Sequence, residues 1–262
     1  MTRAMSSHDV AVVVPIYSER YTDDERISVR HLQHYLSAYD HIAIGPSSLD
    51  HRDTWEGEYL RFPDSDFANR ASYSRLLLSP RFYSSFRRYD FILIYQLDSL
   101  VFSDQLLMWC QKGYDYIGAP WPQPPNIPLE RQWYPGPERC GNGGFSLRNV
   151  ANHLHVLRLA RRPGTYFRML REELREHPNP FVALRRVAKA SPLLFRANED
   201  VFWSFHASKY EESFSVSPVA EGVQFSFELS PSWCYERNAR RLPFGCHAWA
   251  SLDRQFWEPH LL

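Results

Sequence analysis

The residues whose types and spacing could do chemistry lie in four short stretches of this 262-residue chain. In FILIYQLDSLVF (residues 91–102) an apolar, strand-like run breaks at Asp98 and Ser99 before it resumes. An ionised carboxylate buried without a partner is costly, so Asp98 is expected at the wet end of the strand or facing a cation. In ANEDVFWSF (residues 197–205) Glu199 and Asp200 stand side by side ahead of an apolar helical run. They suit acid–base work, or they complement the dipole of a helix that Asn198 caps. CGNGGFSLRN (residues 140–149) has three glycines, which let backbone pass close to a ligand or simply make a tight turn, and then an alternating, strand-like FSLR. No Gly-Lys-Ser/Thr opens a helix and no GxGxxG precedes one, which disfavours ATP cradling and dinucleotide binding. LPFGCHAW (residues 242–249) sets His247 in an aromatic turn, where a histidine by itself reads as packed or hydrogen-bonded.

The elements that must position these residues alternate. VAVVVPIY (residues 10–17) is a β-branched run closed by proline, as expected of a central strand buried on both faces. Residues 26–40 carry apolar positions at helical spacing, and HIAIGP (residues 41–46) follows as a second strand closed by Gly45-Pro46. Residues 69–86 read as a helix stopped near Pro80, leading into the strand that ends at Asp98. The alternation predicts an α/β fold with a mostly parallel central sheet and flanking helices, whose ligands bind outside the carboxyl ends of the strands. Between Trp109 and Arg139, GYDYIGAPWPQPPNIP reads as a short strand and then a proline-rich loop, either a lid or binding loop or a packed surface loop. Residues 158–196 hold ten Lys and Arg against Glu172, Glu173 and Glu176, a helical basic segment that faces solvent or meets an anionic membrane surface or an acidic acceptor.

Composition narrows the functions further. Lys plus Arg equals Asp plus Glu at 30 each, which argues against a nucleic-acid partner. Cys110, Cys140, Cys234 and Cys246 form no CxxC pair, which disfavours a zinc site or a disulfide framework. Residues 1–10 lack an apolar signal core, and no run of about 18 apolar residues occurs. The expectation is a cytoplasmic protein, with residues 1–9 flexible and residues 1–262 as one domain.

The segments VAVVVPIY, YSRLLLSPRFYSSFRRYDFILIYQLDSLVF, GYDYIGAPW, GNGGFSLR, NEDVFWS, FSFE and PFGCHAW, in that order, resemble GT-A glycosyltransferases. They more closely resemble a bacterial family catalogued as a domain of unknown function that is placed with those enzymes. The resemblance implies a Rossmann-like GT-A domain that moves a sugar from a nucleotide-sugar donor to a bacterial glycan or lipid-linked acceptor, as in polysaccharide biosynthesis. It implies that Asp98 stands in a DxD-like motif facing a divalent cation, Mn²⁺ or Mg²⁺, on the donor diphosphate. Fringe-like transferases write this segment DDDVF; here it is DSLVF, with Asp98 first and Leu100, which cannot bind metal, last. His247 is similar to a C-terminal histidine that completes the metal site in several GT-A families, and a neutral imidazole suits Mn²⁺ better than Mg²⁺.

By the same resemblance Asp200 is the general base of an inverting displacement, with Glu199 and Glu228 in reserve, since adjacent carboxylates raise one another's pKa toward working pH. Donor contacts are expected from Pro15, Ile16 and Tyr17 at the end of the first strand, from Gly143 and Gly144, and from Arg75 and Arg148, which would neutralise the diphosphate if no metal binds. Two other readings are a sugar- or nucleotide-binding module without turnover and a metal-dependent phosphoesterase using Asp98, Asp200 and His247, for which no second metal cluster is apparent.

Overall fold

The β-branched run forms strand β1 (Val10–Pro15), buried along its whole length. Alternate side chains leave opposite faces of a strand, so Ala11 and Val13 enter one hydrophobic core while Val10, Val12 and Val14 enter the other. The computed structural model describes residues 5–123, 138–195 and 197–262. After β1 come α1 (Asp23–Leu36), β2 (Asp40–Pro46), β3 (Glu58–Phe62), α2 (Arg70–Leu77), α3 (Pro80–Ser84) and β4 (Phe91–Tyr95). The chain continues through β5 (Leu100–Val101), α4 (Leu106–Gln111), β6 (Tyr116–Gly118), β7 (Phe145–Asn149), α5 (Val150–Leu159), α6 (Pro163–Glu176) and α7 (Pro180–Ala190). It closes with α8 (Glu199–Phe205), α9 (Val219–Phe225), β8 (Ser226–Phe227), α10 (Pro231–Arg237), β9 (Gly245–Cys246) and α11 (Trp249–Trp257).

The large sheet has the order β3-β2-β1-β4-β7-β6. Its pairs β3–β2, β2–β1 and β1–β4 are parallel, and β7 runs against both β4 and β6. The architecture is a mixed α/β single domain with a mostly parallel central sheet. Helices α2, α3 and α5 cover one face, where Leu76, Leu77, Phe82 and Leu157 are buried, and α1 and α4 cover the other with Leu32, Leu36, Leu106 and Trp109. A second sheet, β5-β9-β8, is only two residues deep.

Several boundaries differ from the sequence expectation for local reasons. Helix α1 begins at Asp23 because Thr22 and Glu25 make a reciprocal cap: the Glu25 amide donates to Thr22 Oγ1 at 3.2 Å and the Thr22 amide to Glu25 Oε2 at 2.7 Å. Pro80 does divide the expected helix, and Ser79 caps the second piece. Strand β4 ends at Tyr95 rather than at Asp98, and the Ser99 amide closes a turn onto the Gln96 carbonyl at 2.9 Å. The edge strand β3 was not anticipated. Of the segment expected to be flexible, Ser7–Asp9 forms a turn of 3-10 helix whose start is capped by Ser6 and Asp9. The proline-rich loop falls largely on residues 124–137 and Arg196 ends the basic segment; both lie outside the described residues. Among the described residues no helix is long and apolar enough to cross a membrane.

Candidate active site

The carboxyl ends of β1 and β4, the Gly-rich approach to β7, the start of α8 and the turns after β8 and β9 open onto one cleft of about 580 Å³. The small sheet explains why distant residues meet there. Phe227 of β8 pairs with Cys246 of β9, and Cys246 pairs with Leu100 of β5. One step further along this register Glu228 comes beside His247, which in turn meets Asp98. The His247 amide donates to the Phe227 carbonyl at 3.0 Å, and the Trp249 amide holds the Asp98 carbonyl at 3.2 Å. Ala248, next to His247, takes the left-handed backbone region at φ 54°, which costs a non-glycine residue roughly 1–2 kcal/mol and turns the imidazole into the cleft.

His247 sits between two carboxylates. Its Nδ1 lies 2.9 Å from Glu228 Oε1, and its Nε2 lies 3.2 Å from Asp98 Oδ1 and 3.1 Å from Gln96 Oε1. Burial alone would lower the imidazole pKa, but the charge and hydrogen bonds of Asp98 and Glu228 outweigh it and push it up to about 10. Burial works to raise Asp98, and the charge and hydrogen bond of His247 reverse that and hold it low. The Asn142 amide nitrogen donates to Glu228 Oε1 at 2.6 Å and steadies the group from behind. Gly144 lies under the ring: a Cβ there would overlap the imidazole.

The two adjacent carboxylates have separate fates. Glu199 receives the Arg148 guanidinium at 3.0 Å and the Ser74 hydroxyl at 3.2 Å. Arg148 is fully buried and also donates to Tyr83, Ser146 and the Gly143 carbonyl. Gly143 gives this pair room, since a Cβ there would stand 2.5 Å from Glu199 Oε1. Asp200 lines the cleft and has no ion pair among the described residues. Burial first, then the charges of Glu199 and Glu228, raise its pKa well above the ordinary carboxylate value. Asn198 makes no side-chain cap of α8 and lines the cleft instead.

Of the residues singled out in the sequence, Tyr17, Asp98, Gly143, Gly144, Glu199, Asp200, Glu228 and His247 line this one cleft. Tyr17 is 50% exposed and meets Phe67 and Tyr73 edge-on at 5.8 and 5.9 Å. Pro15 and Ile16 are buried in the sheet and do not line the cleft. Arg148 is locked inside the core, away from any diphosphate, because Glu199 and Tyr83 draw it in. Arg75 lies on an exposed face of α2, and Arg70, nearly one and a half turns earlier, lines the cleft in its place. Leu100, compared above with the last position of a DxD motif, is fully buried in β5. Gln96, two residues before Asp98, supplies the neighbouring oxygen. It reaches the imidazole because the turn after β4, closed by the Ser99 amide on the Gln96 carbonyl, follows it directly, and nothing in the local sequence marks it. Among the described residues the one cluster of three potential metal ligands within ligating distance is Glu173, Glu176 and His177, remote in sequence from the cleft, and Glu173 there is already paired with Arg186 and Lys209.

The fold and its cleft thus define a mixed α/β protein that gathers carboxylates, an imidazole and aromatic rings at the carboxyl edge of a parallel sheet. The chain belongs to the family described as "Protein of unknown function (DUF5672)", whose model matches residues 56–247. No curated protein matches the chain. Among solved structures it is similar to an active-site mutant of LgtC, at 11% identity over 90% of this chain and 86% of that one, with a TM-score of 0.47. It is similar to mouse xyloside xylosyltransferase 1 in its apo form, at 12% identity over 91% and 97% of the two chains, with a TM-score of 0.47. A third is a glycosyltransferase involved in glycosylation of the major capsid of PBCV-1, at 10% identity over 96% and 97%, with a TM-score of 0.41.

Proposed function

We propose that the protein is a GT-A glycosyltransferase that moves a sugar from a nucleotide-sugar donor to an acceptor hydroxyl with inversion. The carrying observation is the division of labour in one cleft: Asp98 and Gln96 each approach His247 within 3.2 Å, while Asp200 stands in the same cleft with its pKa raised and no ion pair among the described residues. The donor diphosphate is an anion, yet Asp98, Glu199, Asp200 and Glu228 all line the cleft. Countercharge is needed, and the donor set fits a divalent cation. One carboxylate oxygen, one amide oxygen and one imidazole nitrogen suit Mn²⁺ or Mg²⁺, and Glu228 behind Nδ1 fixes the ring as an outer carboxylate does in metal–histidine sites. Asp98, Gln96 and His247 would hold the ion, which when bound offsets charge on the departing diphosphate.

The chain's own residues do the rest. Tyr17, Phe67 and Tyr73 offer aromatic surface for the nucleoside at the end of β1. Asp200 takes the proton of the acceptor hydroxyl as its oxygen bonds to the anomeric carbon, and the bond from that carbon to the diphosphate breaks, releasing nucleoside diphosphate. Arg148 and Ser74 occupy both carboxylate oxygens of Glu199 and hold it still, so the base is Asp200 and not its neighbour. The raised pKa leaves Asp200 poised for this step, so activity should rise with pH as it deprotonates.

The test is Asp200→Asn assayed by nucleoside diphosphate release, with donor binding read separately. Turnover should fall by roughly 10² or more while donor affinity survives. A carboxyl whose folded pKa is raised contributes stability at low pH that is lost as pH rises through that pKa, so Asp200→Asn should also melt higher than the parent at alkaline pH. Normal turnover in this variant would remove the base. Absence of diphosphate release from any donor and acceptor, with donor still bound, would leave a binding module.

A further inference from the structure

The helical hairpin that leads into α8 carries a second apolar surface left exposed among the described residues. Helix α7 buries Ala183, Val187 and Ala190 on its inner side. Phe181, Leu184 and Ala188 recur at the spacing of a second stripe, facing out, with Arg185 and Lys189 alongside. Phe181 is 82% exposed and Leu184 58%. Leu193 and Leu194, just past the helix, are 56% and 64% exposed. Charge is as one-sided as exposure. From residue 177 to residue 198 the sequence contains no Asp or Glu. Arg186 is engaged by Glu173, while Arg185 and Lys189 have no ion pair among the described residues.

We propose that this surface, the outer face of α7 with Leu193 and Leu194, docks the protein on an anionic lipid bilayer. An exposed apolar stripe edged by uncompensated cations is the pattern of a helix lying in the headgroup region, where apolar side chains enter the acyl boundary and cations meet anionic lipid. A protein partner would need acidic groups matched to the two cations; an anionic membrane offers negative charge in any register. The docking surface is tied to the cleft. Phe195 packs its ring on Phe202 and His206 at 5.7 and 5.5 Å, anchoring the segment to α8. Leu194 precedes the cleft residue Asn198 by four positions, a reach of at most about 14 Å. The cleft of a docked molecule therefore opens close to the lipid surface, and, on the glycosyltransferase reading above, the acceptor is a lipid-linked glycan rather than a free sugar.

The experiment is co-sedimentation of the full chain with vesicles of phosphatidylcholine mixed with phosphatidylglycerol, against phosphatidylcholine alone, at low and high salt. The parent should pellet with the anionic vesicles and lose that partition as salt screens it. The pair Phe181→Ser and Leu184→Ser should weaken partition at least about tenfold. The pair Arg185→Glu and Lys189→Glu should weaken it by more than about fivefold per cation and remove the preference for anionic lipid. All four side chains are exposed, so both double variants should melt with the parent. No sedimentation of the parent with anionic vesicles, or equal binding to neutral ones, overturns the proposal. A dimer in light scattering that the Phe181 and Leu184 changes make monomeric assigns the stripe to self-association and overturns it too. Diphosphate release with a water-soluble acceptor, measured on the same variants, keeps the two readings apart: it should be unchanged when docking is lost, and its absence in the parent would leave the vesicle result standing.

Discussion

The two sides of the cleft hold their charges in opposite ways. On the side built by the large sheet, Arg148 is dry and held by Glu199, Tyr83, Ser146 and the Gly143 carbonyl, and Glu199 spends both carboxylate oxygens on Arg148 and Ser74. On the side built by the small sheet, the Asp98 side chain is 52% exposed, and one imidazole serves Asp98, Gln96 and Glu228 together. A buried charge held in a dry ion pair belongs to the architecture, since removing either partner strands the other. A half-wet group that shares its proton with several neighbours can exchange it for a cation or a substrate.

The largest effect should come from unbalancing the dry side. Glu199→Gln leaves Arg148 buried without a counter-charge, a loss of about 3–5 kcal/mol and a fall in melting temperature on the order of ten degrees. A variant that melts with the parent would erase the contrast. Next is Asp98→Asn on the wet side. A nucleoside diphosphate with Mn²⁺ at ~100 times its dissociation constant should stabilise the parent by about 2.7 kcal/mol, and this variant should lose most of that shift while its unliganded melt stays close to the parent's. Retained Mn²⁺ stabilisation would take Asp98 out of the cation site.

Gly144→Ala sharpens the comparison from underneath. The added methyl displaces the imidazole, so the Mn²⁺ response should drop while the fold loses about 1–3 kcal/mol. A crystal structure of the variant with His247 unmoved would refute the close-approach argument. The smallest effect is a pH slope. The imidazole pKa is raised from its ordinary value to about 10, so its stabilisation is complete below about 6.5 and is lost as pH rises toward 10. In chelator the parent should lose less than about 1.4 kcal/mol between pH 7 and 8, and His247→Gln should flatten that slope. An identical slope in the variant would mean that the imidazole does not carry the proton.

How much of this was legible in the sequence follows the same division. The scaffold was readable where its signal is local: the unbroken β-branched run of β1, the helical spacing of α1 and the stop at Pro80. Asp98, Asp200 and His247 were readable as polar residues set in apolar runs. The small sheet was not, because Leu100–Val101, Ser226–Phe227 and Gly245–Cys246 are too short for any periodicity. Without it Gln96 and Glu228 have no visible relation to His247, and Leu100 passes for a motif position instead of a core residue. Arg148 was misplaced for a similar reason. Its partner Glu199 stands 51 positions away, and nothing local distinguishes a dry arginine from one that meets phosphate.

The two-residue strands also set a timetable for the nascent chain. The large sheet is complete in sequence at Asn149, whereas His247 emerges 98 residues later, roughly 5–20 s at ribosomal elongation rates. Through that interval Leu100 lacks Trp249 and Trp257, which share its apolar cluster in the finished protein. Asp98 likewise waits without its imidazole. The cleft thus cannot be completed before residue 247 has emerged, and until then the apolar edge around β5 lacks its partner strand β9.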